Sequence, residues 1–384
     1  MSEVAPEPAP LLTRPRFVAL DSSHLGKLAR DYFSRDAEKR NRARAFQADI
    51  GGKACILLIC WHHVVELLRH RDPKVVSDRL EYLKGISLLA WVRAFSDDRM
   101  PGSIIDIHCH EISAALRLPS TDAAAVCAEA AKQLICFGSG DQAMQPFLST
   151  WQLLQPELWK QEQREREVVA ISRSKVLDFS NTKLSDWLTG GLRSPEDAAQ
   201  RLEQFAQLLG HDIKARGDER IPSPSDTANH FFSQVVQDAA RAFSEPGSPA
   251  LQILELFGVY PEDIRADMTL GDVSSLAAYR QRLRVINQTL QMPWERIRHI
   301  SESALPSFVI LDALRRYGHD QPERKGSELA DGYLAVLSAY IDVTFIDKRV
   351  LESFRRARKA STTFSTLTRR VEKSADYWDI PALL

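Results

Sequence analysis

The chain has no long hydrophobic run, and this limits its class before any motif is considered. None of its apolar segments approaches the roughly 18 to 20 residues that a membrane-spanning helix requires. We therefore expect no membrane partner. The first segment, MSEVAPEPAPLLTRP, is rich in proline and acidic, unlike a signal peptide, and it predicts a disordered leader over residues 1–15.

Cysteine is scarce and unpaired in the sequence. The five cysteines are odd in number, and none belongs to a CxxC motif. This usage is typical of a reducing compartment and argues against a disulfide framework. It predicts a cytoplasmic protein.

The chain also has no strong net charge. Its 50 Lys and Arg residues against 51 Asp and Glu residues give a formal charge of −1. Any contact with nucleic acid must therefore come from a local basic patch. One such patch lies in residues 348–374, which contain nine basic residues and two glutamates, and a second lies in RDAEKRNRAR at 35–44.

Both ends of the chain alternate strand-like and helix-like segments. We predict a strand at 16–21, helices at 23–33 and 37–49, a second strand within GGKACILLIC, and a helix over WHHVVELLRHRD. Near the other end, we predict a helix at 327–340, a strand at 341–347 and a further helix after it. Short apolar runs separated by helical periods predict βαβ units and a parallel sheet.

The middle of the chain is mainly helical in pattern. We therefore predict an α/β fold whose parallel sheet is flanked by helices and interrupted by a large, mainly α-helical insertion. The predicted boundaries are 16–112 for the first part of the α/β domain, 113–300 for the insertion, and 301–384 for the second part with its basic tail.

Four acidic residues lie at related places in this pattern. Asp21 ends the first strand, Glu66 lies on the helix after the second strand, Asp331 is near the start of the late helix, and Asp347 ends the late strand. Functional groups in open parallel sheets gather at the carboxyl ends of strands. Converging carboxylates repel one another unless a cation relieves the repulsion, and oxygen-rich sites suit Mg²⁺ or Mn²⁺. Asp21 has a second interpretation, as the cap of the next helix.

The order of these segments resembles the PIN-domain nucleases. The matching segments are FVALDSSHL, WHHVVELLRH and ELADGYLAVLSAYIDVTFIDKR, and the resemblance covers roughly residues 15–110 and 300–360. This chain departs from the family pattern in the long interval before the late helix, and in Phe345, where the family often has Ser or Thr. Glu328 and Asp342 are alternative ligands near the late strand.

The resemblance implies metal-dependent hydrolysis of phosphodiester bonds, usually in RNA, with single-stranded DNA as an alternative substrate. Asp21, Glu66, Asp331 and Asp347 would hold Mg²⁺ or Mn²⁺, which activates a water molecule and stabilises the leaving oxygen. The hydroxyls that would orient a ligand or contact a phosphate are Ser22 and Ser23. The basic residues that would contact the nucleic-acid backbone are Lys348, Arg349, Arg355 and Arg356.

A rival metal motif lies in IIDIHCHEISAAL, at residues 104–116. Asp106, His108 and His110 form a DxHxH pattern that resembles the opening motif of TIM-barrel metal-dependent hydrolases. On a strand, alternation would place both histidines on one face, as a shared metal requires. That fold needs seven further βα units, and the mainly helical sequence that follows does not supply them.

A third interpretation is a helical interaction protein with an inactive PIN-like scaffold. The insertion would then bind a regulatory protein or a second copy of the chain. The apolar residues that could contact such a partner are Trp151, Leu153, Leu154 and Trp159.

Overall fold

A computed structural model of the protein describes residues 15–97, 99–119, 122–172, 174, 180–190, 195–244, 249–318 and 327–384. The leader predicted over 1–15 lies outside these residues, except for Pro15. Among the helices of the described ranges, none has both the length and the apolar character needed to cross a membrane.

Six strands form one mixed sheet in the described part of the chain, in the order β4-β3-β2-β1-β5-β6. The strands are β1 (Arg16–Ala19), β2 (Cys55–Ile59), β3 (Leu89–Val92), β4 (Ile135–Gly138), β5 (Val343–Phe345) and β6 (Arg370–Glu372). Neighbouring strands are parallel except for β4, which pairs antiparallel with β3 at the edge. The predicted α/β class is confirmed, whereas the prediction of a wholly parallel sheet was wrong at β4.

The central strand β1 is buried on both faces, which explains its continuous apolar sequence. Phe17 and Ala19 belong to one hydrophobic core, and Val18 and Leu20 belong to the other, because successive side chains of a strand point to opposite faces. The sheet therefore separates two layers of helices.

The helices between the first strands begin at polar caps. Asp36, Asp72 and Asp122 each accept a hydrogen bond from a backbone N–H of the first helical turn, which satisfies a donor that the helix itself leaves free. These helices are α1 (Ser22–Tyr32), α2 (Ala37–Gly52), α3 (Trp61–Leu68), α4 (Pro73–Lys84), α5 (Ile104–Arg117) and α6 (Ala123–Leu134).

The middle of the chain is a series of helices with small cores of their own. The helices are α7 (Gly140–Leu148), α8 (Trp151–Ser172), α9 (Leu184–Gly190), α10 (Pro195–Arg216), α11 (Pro224–Ser244), α12 (Pro249–Leu256), α13 (Leu270–Leu290) and α14 (Trp294–Ile297). One core joins α8, α10 and α11, and another joins α9, α12 and α13. The strand β4 comes from the same segment, 113–300, and extends the sheet. The predicted division into two α/β parts and an insertion stays a prediction.

The last part of the chain returns to the sheet. Its helices are α15 (Pro306–Tyr317), α16 (Ser327–Val336), α17 (Lys348–Ala360), α18 (Thr362–Leu367) and α19 (Ile380–Leu383). A 3₁₀ turn at Leu337–Ala339 follows α16 and leads into β5. The predicted helix over 327–340 thus ends as a tighter turn, and the predicted strand over 341–347 forms at its centre.

The order of the strands creates a switch point beside β1. From β1 the chain proceeds outward through β2 and β3 on one side, whereas β5 and β6 occupy the other side. A crevice forms at the carboxyl ends of the strands where this direction reverses, and such crevices are the usual ligand sites of open α/β sheets. Asp21 follows β1 and Asp347 follows β5, so the fold brings both residues to this crevice.

Candidate active site at the switch point of the sheet

A cavity of about 450 Å³ lies at this crevice and contains three of the four predicted acidic residues. The residues that line it are Asp21, Ser22, Ser23, His62, Glu66, Leu67, Arg69, Arg79, Glu162, Glu165, Arg166, Arg220, Asp331 and Leu334. They come from α1, α3, α4, the middle of the chain and α16. Long-range folding therefore assembles the site from segments more than 300 positions apart in the sequence, such as those of Asp21 and Asp331.

Asp21 is a helix cap and also lines the cavity, whereas its role as a metal ligand stays a prediction. It is the N-cap of α1, and its Oδ1 accepts a hydrogen bond of 2.7 Å from the Ser23 N–H. It also lines the cavity together with Ser22 and Ser23. A capping carboxylate keeps free lone pairs, because each oxygen accepts more than one hydrogen bond.

Glu66 lies on α3 and is held in its charged form. Although burial favours the neutral acid, interactions with the His62 ring and the Ser22 hydroxyl lower the pKa of Glu66 to about 2. The His62 Nε2 lies 3.4 Å from the Glu66 carboxylate, one helical turn away on α3. Ser22 thus interacts with one of the predicted ligands, and its role as an orienting hydroxyl stays a prediction.

Asp331 and Asp347 share a single arginine. Arg349 Nη2 lies 2.8 Å from Asp331 Oδ2, and its Nε lies 3.7 Å from Asp347 Oδ2. Asp347 also caps α17, accepting a bond of 2.7 Å from the Val350 N–H. Burial, helped by the nearby charges of Asp347 and Asp21 and opposed by Arg349, raises the pKa of Asp331 to about 7.

Of the two alternative ligands, Asp342 and Glu328, the structure describes the side chain of Asp342 only. Asp342 accepts a hydrogen bond of 2.8 Å from the Phe17 N–H and lies 3.6 Å from Arg369, so it connects β1 to the turn before β5. It does not line the cavity. The side chain of Glu328 lies outside the described residues.

The buried side chain of His63, which lies near Glu66 in the sequence, holds two of the site segments together. His63 Nδ1 accepts a hydrogen bond of 3.0 Å from the Cys60 N–H. Its Nε2 lies 2.8 Å from the carbonyl oxygen of Leu20, to which it therefore donates. Because Leu20 immediately precedes Asp21, His63 fixes the end of β1 against the start of α3. The only sequence signal was its position three residues after the strand.

The helix α8 forms the opposite wall of the cavity. Arg69, at the end of α3, makes a two-pronged ion pair with Glu165 of α8, with N–O distances of 2.9 and 3.0 Å. Gln155 donates to the carbonyls of Leu68 and His70 at 2.9 and 2.8 Å. These hydrogen bonds satisfy carbonyl groups that the end of α3 leaves free, and they place α8 beside the carboxylates.

The same wall carries two further arginines and their acidic partners. Arg166 pairs with Glu162, and Arg220 pairs with Asp218 at 2.7 Å. The middle of the chain therefore supplies both positive and negative groups to the cavity. Neither α8 nor Arg220 was predicted to be part of the site, because nothing in their local sequence distinguishes them from exposed helix residues.

Replacing Gln155 tests whether α8 is fixed in this way. The Gln155→Leu variant removes both hydrogen bonds and leaves two carbonyls near the end of α3 without these partners, at a cost of about 1–3 kcal/mol. We expect faster hydrogen–deuterium exchange in α8 and at the end of α3. The Gln152→Leu variant changes an exposed position on the same helix and serves as the control. Equal exchange in both variants would contradict this role of Gln155.

The basic tail divides into two groups. Lys348, Arg355 and Arg356 are exposed on α17, where they are free to contact a ligand. Arg349 instead faces the carboxylates, where its guanidinium pairs with Asp331 and Asp347, and its role as a nucleic-acid contact stays a prediction.

The DxHxH segment does not form a strand. It lies within α5, where residues two apart point in nearly opposite directions, so His108 and His110 do not share a face. Asp106 accepts hydrogen bonds from Ser103 and from the Phe95 N–H at the start of the helix. His108 packs against Phe308, with ring centroids 4.7 Å apart. The prediction of a rival metal site was therefore wrong, because a shared metal requires both histidines on one face.

The carboxylate cluster fits a divalent cation by its chemistry. Within the described residues, no three carboxylate, imidazole or thiol groups lie close enough to hold an ion as they stand. Three of the four acids nevertheless line one cavity, and the raised pKa of Asp331 reflects burial first and then the negative charges of Asp347 and Asp21. A divalent cation relieves such repulsion, and Mg²⁺ and Mn²⁺ prefer carboxylate oxygens.

Comparison with known proteins found no relative of this chain. No family model, curated protein or solved structure matches the chain. The functional argument therefore depends on the residues themselves.

Proposed function

We propose that this protein is a PIN-like, metal-dependent nuclease that hydrolyses phosphodiester bonds in RNA. The observation that carries the proposal is the meeting of Asp21, Glu66 and Asp331 in one cavity at the switch point, with Asp347 close enough to raise the pKa of Asp331. These are the four positions at which the sequence resembles the PIN-domain nucleases.

Each of these residues has a distinct part in the proposed mechanism. Asp21, Glu66 and Asp331 would hold Mg²⁺ or Mn²⁺, with Asp347 beside them, and the bound ion would activate water and stabilise the leaving oxygen. Glu66 stays charged at neutral pH because its pKa is about 2. Ser22 and His62 orient the Glu66 carboxylate, and His63 keeps Asp21 at the end of β1.

The middle of the chain would control access to this site. Its helix α8 forms one wall of the cavity by hydrogen bonding to the end of α3. Such a wall narrows the opening and favours a single extended strand over a folded duplex. A role of residues 113–300 in binding a regulatory partner or a second copy, and a cytoplasmic location, stay predictions.

Cleavage of a mixed pool of labelled RNA tests the proposal. We expect products with Mn²⁺ or Mg²⁺ and none with EDTA, with a single-stranded DNA pool run in parallel. The Asp347→Asn variant should be slower by roughly 10-fold, because Asp347 does not line the cavity and acts beside it, as outer-shell partners of metal ligands do.

Asp122→Asn is the matched control for this substitution. Asp122 caps α6 through a backbone N–H three residues ahead, as Asp347 caps α17. Asparagine is as good a cap as aspartate, so neither change should unfold the protein. Products that persist in EDTA, or equal rates for the two variants, would contradict the proposal.

One observation favours a second candidate function, an interaction protein with an inactive scaffold. Arg349 already pairs with two of the four carboxylates and partly neutralises them. Leu153, on the surface of α8, is 79% exposed and is available to a partner. Trp151 is buried instead, and the indole N–H of Trp159 donates to the Arg69 carbonyl. Absence of cleavage with every metal and both pools would favour this function.

A further inference from the structure

Arg79, on α4, lines the acidic cavity, and its guanidinium retains free hydrogen-bonding capacity. One of its nitrogens, Nη1, donates to the carbonyl oxygen of Leu67 at 3.1 Å. Its Nε is buried and has no hydrogen-bond partner. Gly26 of α1 makes room for the group, because a Cβ at that position would lie 3.2 Å from Arg79 Nη2. Within the described residues, the guanidinium is thus held by a hydrogen bond through Nη1, while its Nε has no acceptor.

Arg79 differs from the other arginines of the cavity in its charge environment. Arg69, Arg166 and Arg220 each form an ion pair with a carboxylate. In the described part of the chain, Arg79 has no such partner. Burial and the nearby charge of Arg30 both lower the pKa of Arg79, although Glu66 opposes them. An anion bound at this point would relieve the unfavourable positive charge.

A second cavity, of about 490 Å³, begins on the other side of Arg79. Its lining residues are Arg30, Asp31, Phe33, Ser34, Lys39, Val75, Asp78 and Arg79. Arg79 is therefore common to both cavities. A chain of phosphates could extend from the carboxylates, past Arg79, into the second cavity.

The second cavity combines cations with an exposed aromatic ring. Arg30 and Lys39 are largely exposed, and each keeps donors free beyond a single long ion pair: Arg30 Nε lies 3.4 Å from Asp31, and Lys39 Nζ lies 3.8 Å from Asp36. Phe33 is 44% exposed, which leaves a face for a base to stack on. A cationic groove with an aromatic platform is the usual arrangement for binding single-stranded nucleic acid.

The acidic residues of the second cavity compensate its positive charge only in part, because each also has a partner elsewhere in the protein. Asp31 is buried and accepts a hydrogen bond of 3.2 Å from the Tyr377 hydroxyl. Asp78 pairs with Lys74 at 3.2 Å, one helical turn away on α4. Both carboxylates are therefore already satisfied within the protein.

We propose that Arg79 binds a backbone phosphate of a single-stranded RNA next to the phosphodiester that is cleaved, and that the strand continues over Arg30, Lys39 and Phe33. This inference rests on the proposed nuclease function and specifies the substrate as a single strand, together with its path. A guanidinium suits this task because it donates two parallel hydrogen bonds to phosphate oxygens.

Binding measured without cleavage tests the inference. Fluorescence anisotropy of a labelled single-stranded RNA is followed in EDTA over a range of KCl concentrations. We expect Arg79→Gln and Arg30→Gln to raise Kd about 5-fold or more. Each should also reduce the slope of log Kd against log salt concentration, by about 0.7 for every phosphate that the variant no longer neutralises. Phe33→Ala should raise Kd without changing this slope, because stacking carries no charge.

Arg71→Gln is the matched control, since Arg71 is exposed and lines neither cavity. If the wild-type protein binds RNA and the Arg79, Arg30 and Phe33 variants all bind like Arg71→Gln, this path is wrong while the nuclease proposal stands. If the wild-type protein binds no RNA, both proposals fail. Arg30 and Phe33 are surface positions, so their variants decide the question even if Arg79→Gln unfolds.

Discussion

Asp21→Asn should remove metal-dependent cleavage while leaving the protein folded. The substitution deletes one carboxylate charge at nearly constant volume, and it keeps the side-chain oxygen that caps α1 by accepting from the Ser23 N–H. Changes to outer-shell partners of metal ligands cost about 10- to 100-fold, so loss of a ligand should lower the rate by about 100-fold or more. Single-turnover cleavage of the RNA pool with Mn²⁺ measures the effect.

Asp72→Asn provides the matched control for Asp21→Asn. Asp72 caps α4 through the N–H two residues ahead, as Asp21 does for α1, but it is exposed and does not line the cavity. The two variants should unfold at similar temperatures and differ only in cleavage. A rate for Asp21→Asn equal to that of the control would exclude Asp21 as a ligand and leave it as a helix cap alone.

The positions of the acidic residues could be predicted because they depend on local signals. Apolar runs mark β1, β2 and β5, and a carboxylate that follows a parallel strand lies at one known edge of the sheet. Asp21 and Asp347 are of this kind. The arrangement of Arg349 between Asp331 and Asp347 depends instead on how α16 packs against α17, which no local pattern reveals.

The DxHxH segment shows how a short pattern can mislead. The sequence IIDIHCH alternates apolar and polar residues, but a short apolar segment does not distinguish a strand from a buried helix. The signal that was available is the pair Ser103 and Asp106, which matches a capping box at the start of a helix. That box alone predicts a helix, and a helix places His108 and His110 on different faces.

The edge strand β4 and the wall of the cavity had no usable sequence signal. Residues 135–138 follow α6 directly, so no turn separates the strand from the helix. Gln155, Glu165 and Arg166 look like ordinary polar residues of a solvated helix. Gln155 and Glu165 contact the end of α3, about 90 positions earlier, where Gln155 donates to carbonyl groups and Glu165 pairs with Arg69. Such complementarity between distant segments exists only in the folded chain.

Glu111 is expected to make the stability of the fold depend on pH. This buried carboxyl on α5 accepts hydrogen bonds from the Ser307 N–H and hydroxyl and from the Tyr340 hydroxyl, and so joins α5 to α15 and to the turn before β5. Burial raises the pKa of Glu111 from 4.5 to about 7. Between these two values the folded state binds more protons than the unfolded state, so the free energy of unfolding falls as pH rises.

Through Glu111, the free energy of unfolding of the wild-type protein should therefore fall by about 3 kcal/mol between pH 4.5 and pH 7. The Glu111→Gln variant has no proton to lose at this position and should not show this fall. His108 acts in the opposite direction, because burial lowers its pKa to about 3 and stability from that group rises toward pH 6.5. The difference between wild type and Glu111→Gln in urea unfolding at each pH isolates Glu111 from this effect. Glu81→Gln, at an exposed position of α4, should instead unfold like the wild type at every pH.

If the difference between wild type and Glu111→Gln is constant from pH 4.5 to 8, Glu111 does not titrate in this range. Its hydrogen bonds to Ser307 and Tyr340 would then keep it in one charge state.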